Sequence, residues 1–172
     1  HLYAKFCLVE TEDGIDVLFS PKLKEMNLDE FSEREKKLLL EGQVIVSEVK
    51  EKYVTEEGVE DVQSIKAFVQ IDRDTNSVVY TPTQVIGRNL KNVSEEFELS
   101  DDELKNLSEG SLVTISEENE EGSPEHITIG VDLFSDKGVV LVPGQVGQWE
   151  RTVRKSMPEY SFGNDGCWIN KH

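Results

Sequence analysis

The sequence predicts an α+β protein in which short capped helices alternate with antiparallel β-hairpins, arranged as two tandem units behind a partial N-terminal hairpin. Three observations carry that expectation. The stretch Phe31–Ser47 lines up without a gap, shifted by 68 positions, on Leu99–Ile115. Each copy holds the start and stop chemistry of a helix: Ser32 or Ser100 as N-cap, Glu35 or Glu103 as the reciprocal half of a capping box, and Gly42 or Gly110 placed to end the helix in a left-handed residue. Three further stretches alternate in the manner of strands around a turn, and each is closed by a proline, at Pro21, Pro82 and Pro143.

Along the chain, Tyr3–Val9 alternates loosely, Thr11–Gly14 is a turn and Ile15–Phe19 is the return strand. Residues 22–30 lead to the first helix, about Glu33–Glu41, and Gln43–Val49 follows as a strand. The charged span Lys50–Asp61 is either the end of a long hairpin or a mobile loop. Ser64–Asp72 and Ser77–Thr81 form the second hairpin about Arg73–Asn76, and Phe6, 62 residues before Phe68, aligns the first hairpin on it. Thr83–Glu96 lacks clear periodicity and reads as linker with at most a short strand. The second helix adds a hydrophobic staple, Leu99 against Leu104, which the first lacks because Lys36 stands there. Ser116–Glu125 has no apolar side chain and reads as a solvated loop. The third hairpin, Ile127–Val142, turns at Ser135–Gly138. In the tail, Gln148–Met157 reads as a short basic helix stopped by Pro158, and Tyr160–Phe162 with Cys167–Ile169 as a small aromatic hairpin. The implied division is a partial unit at 1–23, units at 24–86 and 87–143, and a distinct tail at 144–172, as in an excerpt from a longer array.

Composition bounds the function. The 172 residues carry a net charge of −17 with 37% hydrophobic and 31% charged side chains, as a soluble protein would. No apolar run approaches the ~20 residues of a membrane span, and the two cysteines, Cys7 and Cys167, show no metal or redox spacing, so a reducing cytoplasmic setting is expected. Charge is uneven. From Glu95 to Asp136 there are 14 acidic residues and one basic one, Lys105, and this acidic lobe disfavours direct binding to DNA or to anionic membranes.

No stretch carries a catalytic signature. Asp72, Asp74 and Asn76 imitate the opening of a calcium loop, but Ser77 and Thr83 stand where its glycine and bidentate glutamate belong, so a hairpin turn is the simpler account. Asp101, Asp102 and Glu103 complement the dipole of the helix they open. His1, His126 and His172 are scattered, no nucleophile elbow appears, and Gly144–Gly147 is too short for a phosphate loop and lacks the lysine. Catalytic, metal and cofactor sites are therefore not expected.

The combination Asp72-Arg73-x-Thr75-Asn76-x-Val78, then Leu99-Ser100-Asp101-Asp102-Glu103-Leu104 with Leu107 and Glu109-Gly110, then an apolar strand and return hairpin, resembles a domain of unknown function. That domain occurs, often in tandem, in proteins of Bacteroidetes conjugative transposons and related mobile elements, and the resemblance spans about residues 24–143. It implies a non-enzymatic accessory role in a bacterial cytoplasm and carries no site residues.

Two partner classes follow. A protein-interaction module would use the acidic lobe around Glu117, Glu118, Glu120 and Glu121, or the basic aromatic tail around Trp149, Arg151, Arg154 and Trp168. An acidic decoy would imitate the phosphate field of DNA and occupy a basic DNA-processing protein, with salt as the discriminator. A ligand groove between the units and edge pairing of the first hairpin with another copy are left open.

Overall fold

A computed structural model describes residues 4–24, 26–155, 160–162 and 168–170. It contains β1 (Ala4–Thr11), β2 (Gly14–Pro21), α1 (Glu33–Leu40), β3 (Ile45–Val54), β4 (Glu60–Asp72), β5 (Ser77–Pro82), α2 (Thr83–Glu96) and α3 (Asp101–Ser108). There follow β6 (Val113–Glu118), β7 (Pro124–Val131), β8 (Val139–Pro143), α4 (Val146–Lys155), β9 (Tyr160–Phe162) and β10 (Trp168–Asn170). The strands make antiparallel sheets of order β1-β2, β3-β4-β5, β6-β7-β8 and β10-β9, so the protein is α+β. Among the described residues no helix is long and apolar enough to cross a membrane.

The two short helices close as their sequences dictate. Ser32 accepts from the Glu35 N–H while Glu35 accepts from the Ser32 N–H at 2.8 Å, and Ser100 with Glu103 repeats the arrangement, again at 2.8 Å. That backbone bond is the main reason the Glu35 carboxyl titrates below its usual range; bonds from the Ser47 and Ser32 side chains add to it, and partial burial opposes them. At the other end the N–H of Gly42 reaches Leu39 O and that of Gln43 reaches Leu38 O, and Gly110 and Ser111 reach Leu107 O and Asn106 O in the same way.

Packing is layered. Residues two apart on a strand share a face, and Ile45, Val49, Ala67, Val69 and Ile71 form the face of the β3-β4-β5 sheet that lies on Leu38 and Leu39 of α1. Phe68 and Val46, on the reverse face, join a second core with Ile86 and Leu90 of α2, Leu107 of α3, and Val113, Ile129 and Val131 of the next sheet. The far side of that sheet is covered by α4. The order is α1, sheet, α2 with α3, sheet, α4. Leu39 and Leu107 are completely buried, and each such leucine contributes about 1.5–3 kcal/mol.

Three expectations need correction. Thr83–Glu96 is not a linker but the longest helix among the described residues, α2, with Ile86, Leu90, Val93 and Phe97 along its inner stripe; Gly87, Asn89 and Asn92 dilute the pattern, and Asn89 serves a tertiary bond to Lys137 O at 2.8 Å. α2 also straddles the 86/87 boundary. The Ser116–Glu125 stretch is not a loose loop: β6 and β7 pair as far as Glu118 opposite Pro124. Of the two readings of Lys50–Asp61 the long hairpin holds, since β3 and β4 pair as far as Val54 opposite Glu60. Finally, Pro21, Pro82 and Pro143 stand opposite Ala4, Ala67 and Ile127, so Phe6 corresponds to Val69 rather than to Phe68.

α2 ends on a residue that sequence alone did not flag. Glu98 has φ +49° and the N–H of Leu99 bonds Ser94 O, so a glutamate occupies the left-handed position that glycine fills after α1 and α3. Glu98→Gly should therefore stabilise the protein by about 0.5–1 kcal/mol, seen as a melting temperature raised by roughly 1–4 °C. An unchanged or lower melting temperature would show that the side chain compensates for its backbone strain.

Candidate interaction surfaces

The acidic residues stand on an ordered hairpin end. Glu117 is directly opposite Glu125, and Glu118 opposite Pro124. Asn119 closes the turn: its side-chain oxygen accepts from the N–H groups of Glu121 at 3.0 Å and Ser123 at 2.9 Å, and its N–H donates to Ser123 O. Glu120 and Glu121 are exposed in that turn. Like charges opposed across a strand pair destabilise it, so Glu117 and Glu125 favour any cation brought between them.

The tail behaves differently from its sequence reading. Trp149 is only 5% exposed, its ring lies over Gly130, and its Nε1–H donates to Val140 O at 3.2 Å. It is part of the packing of α4 and offers no contact surface. The reason is Gly130: a Cβ there would stand 2.7 Å from the Trp149 ring and 2.3 Å from Leu112, so the missing side chain leaves a slot that the Trp149 ring and Leu112 fill. Arg151 is exposed and donates to Gln148 Oε1 at 3.1 Å. Arg154 falls in α4 and Trp168 in β10; their side chains lie outside the described residues. β9 pairs with β10 as the aromatic hairpin predicts.

Between the layers runs a cleft of about 1340 Å³, bordered by Arg34, Val44, Gln70, Asp132, Trp149 and the 109–112 turn. At its floor Gln70 bridges the two sheets, donating to Asp132 Oδ1 at 3.2 Å and accepting from the Leu133 N–H at 2.9 Å. Burial pushes the Asp132 carboxyl up in pKa, against the bonds from Gln70 and the Phe134 N–H, which lower it. The native state therefore binds this proton more tightly than the unfolded chain does, and its advantage fades as pH rises from the usual carboxylate range through the raised native value. Asp132→Asn abolishes that titration. The variant should gain on the parent across that window and hold a constant difference above it, as read by denaturation from acid to neutral pH; a difference independent of pH would exclude the burial effect.

Among the described residues, one exposed apolar surface was not singled out by the sequence. Phe6, Leu8, Ile15, Val17 and Phe19 alternate onto one face of β1-β2, and Ile15 and Phe19 are 75% and 72% exposed. On the reverse face Lys5 ties the hairpin to the body: its ammonium is 3.1 Å from Asp72 Oδ2 and lies 5.3 Å from the Phe134 ring centre. Asp72 also accepts from the Asp74 N–H at 3.0 Å, the bond of a turn. Among the described residues no group of three potential ligands is arranged to hold a metal ion.

No protein-family model matches the chain, and no curated protein does.

Proposed function

We propose that the protein is a non-enzymatic protein-interaction module of tandem helix–hairpin units that works through the apolar face of its N-terminal hairpin. One observation carries this reading: five large apolar side chains share one face of a two-stranded sheet and stand 38–75% exposed. Isolated hairpins of this kind are marginal in water, and contiguous apolar patches mark contact sites. The tandem reading is supported by the 68-position match and by the identical capping of α1 and α3. The accessory role in a mobile-element protein of a bacterial cytoplasm rests on the sequence resemblance.

The ordered acidic turn favours a second reading, the decoy that inhibits a basic DNA-processing enzyme, because Glu117 and Glu125 are held at fixed spacing. Salt separates the two. The immobilised chain is offered to a lysate of a Bacteroidetes host and washed in parallel at low and high salt. A partner retained at high salt, and lost when Ile15→Asp and Phe19→Asp are combined, supports the apolar module. A basic partner lost at high salt, and weakened by Gln at Glu117, Glu118, Glu120 and Glu121, supports the decoy. Partners that both variants retain would refute both readings.

A further inference from the structure

β4 runs for 13 residues, but β5 pairs only with Ala67–Asp72. The stretch Glu60–Lys66 therefore has β3 on one side and, among the described residues, no strand on the other. Opposed residues in an antiparallel ladder alternate between exchanging both hydrogen bonds and turning both groups away. Just beyond the last pair the Thr55 N–H donates to Val59 O. Counting on from there, Asp61 and Gln63 bond across to β3, while Glu60, Val62 and Ser64 aim N–H and C=O out of the sheet. All five residues from Glu60 to Ser64 are exposed.

This open edge is blocked at its centre. Asp61 Oδ1 accepts from the Val62 N–H at 2.8 Å, and the hydroxyl of Tyr53, directly opposite on β3, holds Oδ2 at 3.2 Å. The same local bond recurs in β2, from the Val17 N–H to Asp16 Oδ1 at 2.8 Å. The edge is also complementary to itself. Set antiparallel about Val62, two copies place Glu60 opposite Ser64, Asp61 opposite Gln63 and Val62 opposite Val62. No like charges are then opposed, and the outward groups of one strand meet those of the other. The pairing stops at Lys66, whose carbonyl already accepts from Thr83 Oγ1 at 3.3 Å where α2 begins.

We propose that the Glu60–Ser64 edge of β4 is a strand-pairing surface for a second copy of this chain, held shut by the Asp61 carboxylate on the Val62 N–H, with Tyr53 as the residue that positions it. The proposal is independent of the N-terminal hairpin. Sedimentation velocity of the full chain tests it at raised salt, where the net charge of −17 is screened. The parent sediments as a monomer. Asp61→Ala dimerises, with self-association strengthened roughly tenfold by the loss of one hydrogen bond to a charged group. Tyr53→Phe shifts the equilibrium the same way by less, since the ring stays and only the hydroxyl is lost. Adding Val62→Pro to Asp61→Ala returns the monomer, because proline lacks the N–H and is tolerated on an edge where that N–H points out of the sheet. All three positions are exposed, so circular dichroism stays that of the parent.

An Asp61→Ala chain no more associated than the parent, or a dimer that survives Val62→Pro, overturns the proposal. A parent that is dimeric and becomes monomeric with Val62→Pro shows the edge open despite Asp61, and overturns the gate. Assemblies that keep growing with concentration overturn the second copy as occupant, since a two-fold pairing of like edges closes at two. Should Asp61→Ala fail to fold, the direction of the Tyr53→Phe shift decides: no shift overturns the proposal.

Discussion

Trp149→Ala should cost about 3–5 kcal/mol, the range for truncating a buried aromatic side chain, and lower the melting temperature by roughly 10 °C. The indole is almost wholly buried, fills the slot above Gly130, and satisfies the Val140 carbonyl. Replacement by alanine leaves a ring-sized cavity between α4 and the β6-β7-β8 sheet. Trp149→Phe keeps most of the ring and loses only the Nε1–H bond, so its cost should be well under half as large. Equal costs for both variants would locate the stabilisation in the hydrogen bond, and no cost for either would return Trp149 to the surface role that its sequence context suggested.

Gly110→Ala should cost about 2–4 kcal/mol, from two separable causes. Gly110 sits at φ +89°, where an L side chain is strained, and a Cβ there would stand 2.6 Å from the Val44 carbonyl oxygen. That oxygen belongs to the segment entering β3, so the clash falls where the end of α3 meets the edge of the preceding sheet. Gly122→Ala is the control: its φ is +77° but nothing lies within 4 Å of an added Cβ. It should cost only about 1 kcal/mol, the strain alone. Urea denaturation of both variants reads the difference. If the two costs were equal, the close approach of the α3 turn to Val44 would contribute nothing to stability.

Much of the fold was legible because its signals are short. A capping box needs a serine and a glutamate three residues apart, and its geometry closes within one helical turn, so Ser32 with Glu35 and Ser100 with Glu103 were readable without any partner element. Turn chemistry is equally local, and the three proline-closed hairpins and the small tail hairpin follow from it. The candidate site was less legible. An apolar strand face reads the same whether a helix covers it or solvent does, so Val17, which is exposed, looks no different in sequence from Val78, which packs on the core beneath α1. The acidic turn was readable as charge but not as order, because Asn119 organises it through backbone donors.

By itself the sequence determined where α1 and α3 start and stop, where hairpins turn, and that charge concentrates between Glu95 and Asp136. Tertiary structure decided the rest. It made Thr83–Glu96 a helix because that segment lies between two sheets, where Ile86 and Leu90 join a core with Phe68 on one side and Val131 and Val139 on the other. It buried Trp149 because Gly130 left room, and it turned the Phe6–Phe19 face outward because Lys5, on the reverse face, anchors the hairpin to Asp72. Caps and turns are fixed by residues within a few positions of one another. Layer order, burial and exposure are fixed by side chains some sixty positions apart, like Gln70 and Asp132, whose pairing no local pattern encodes.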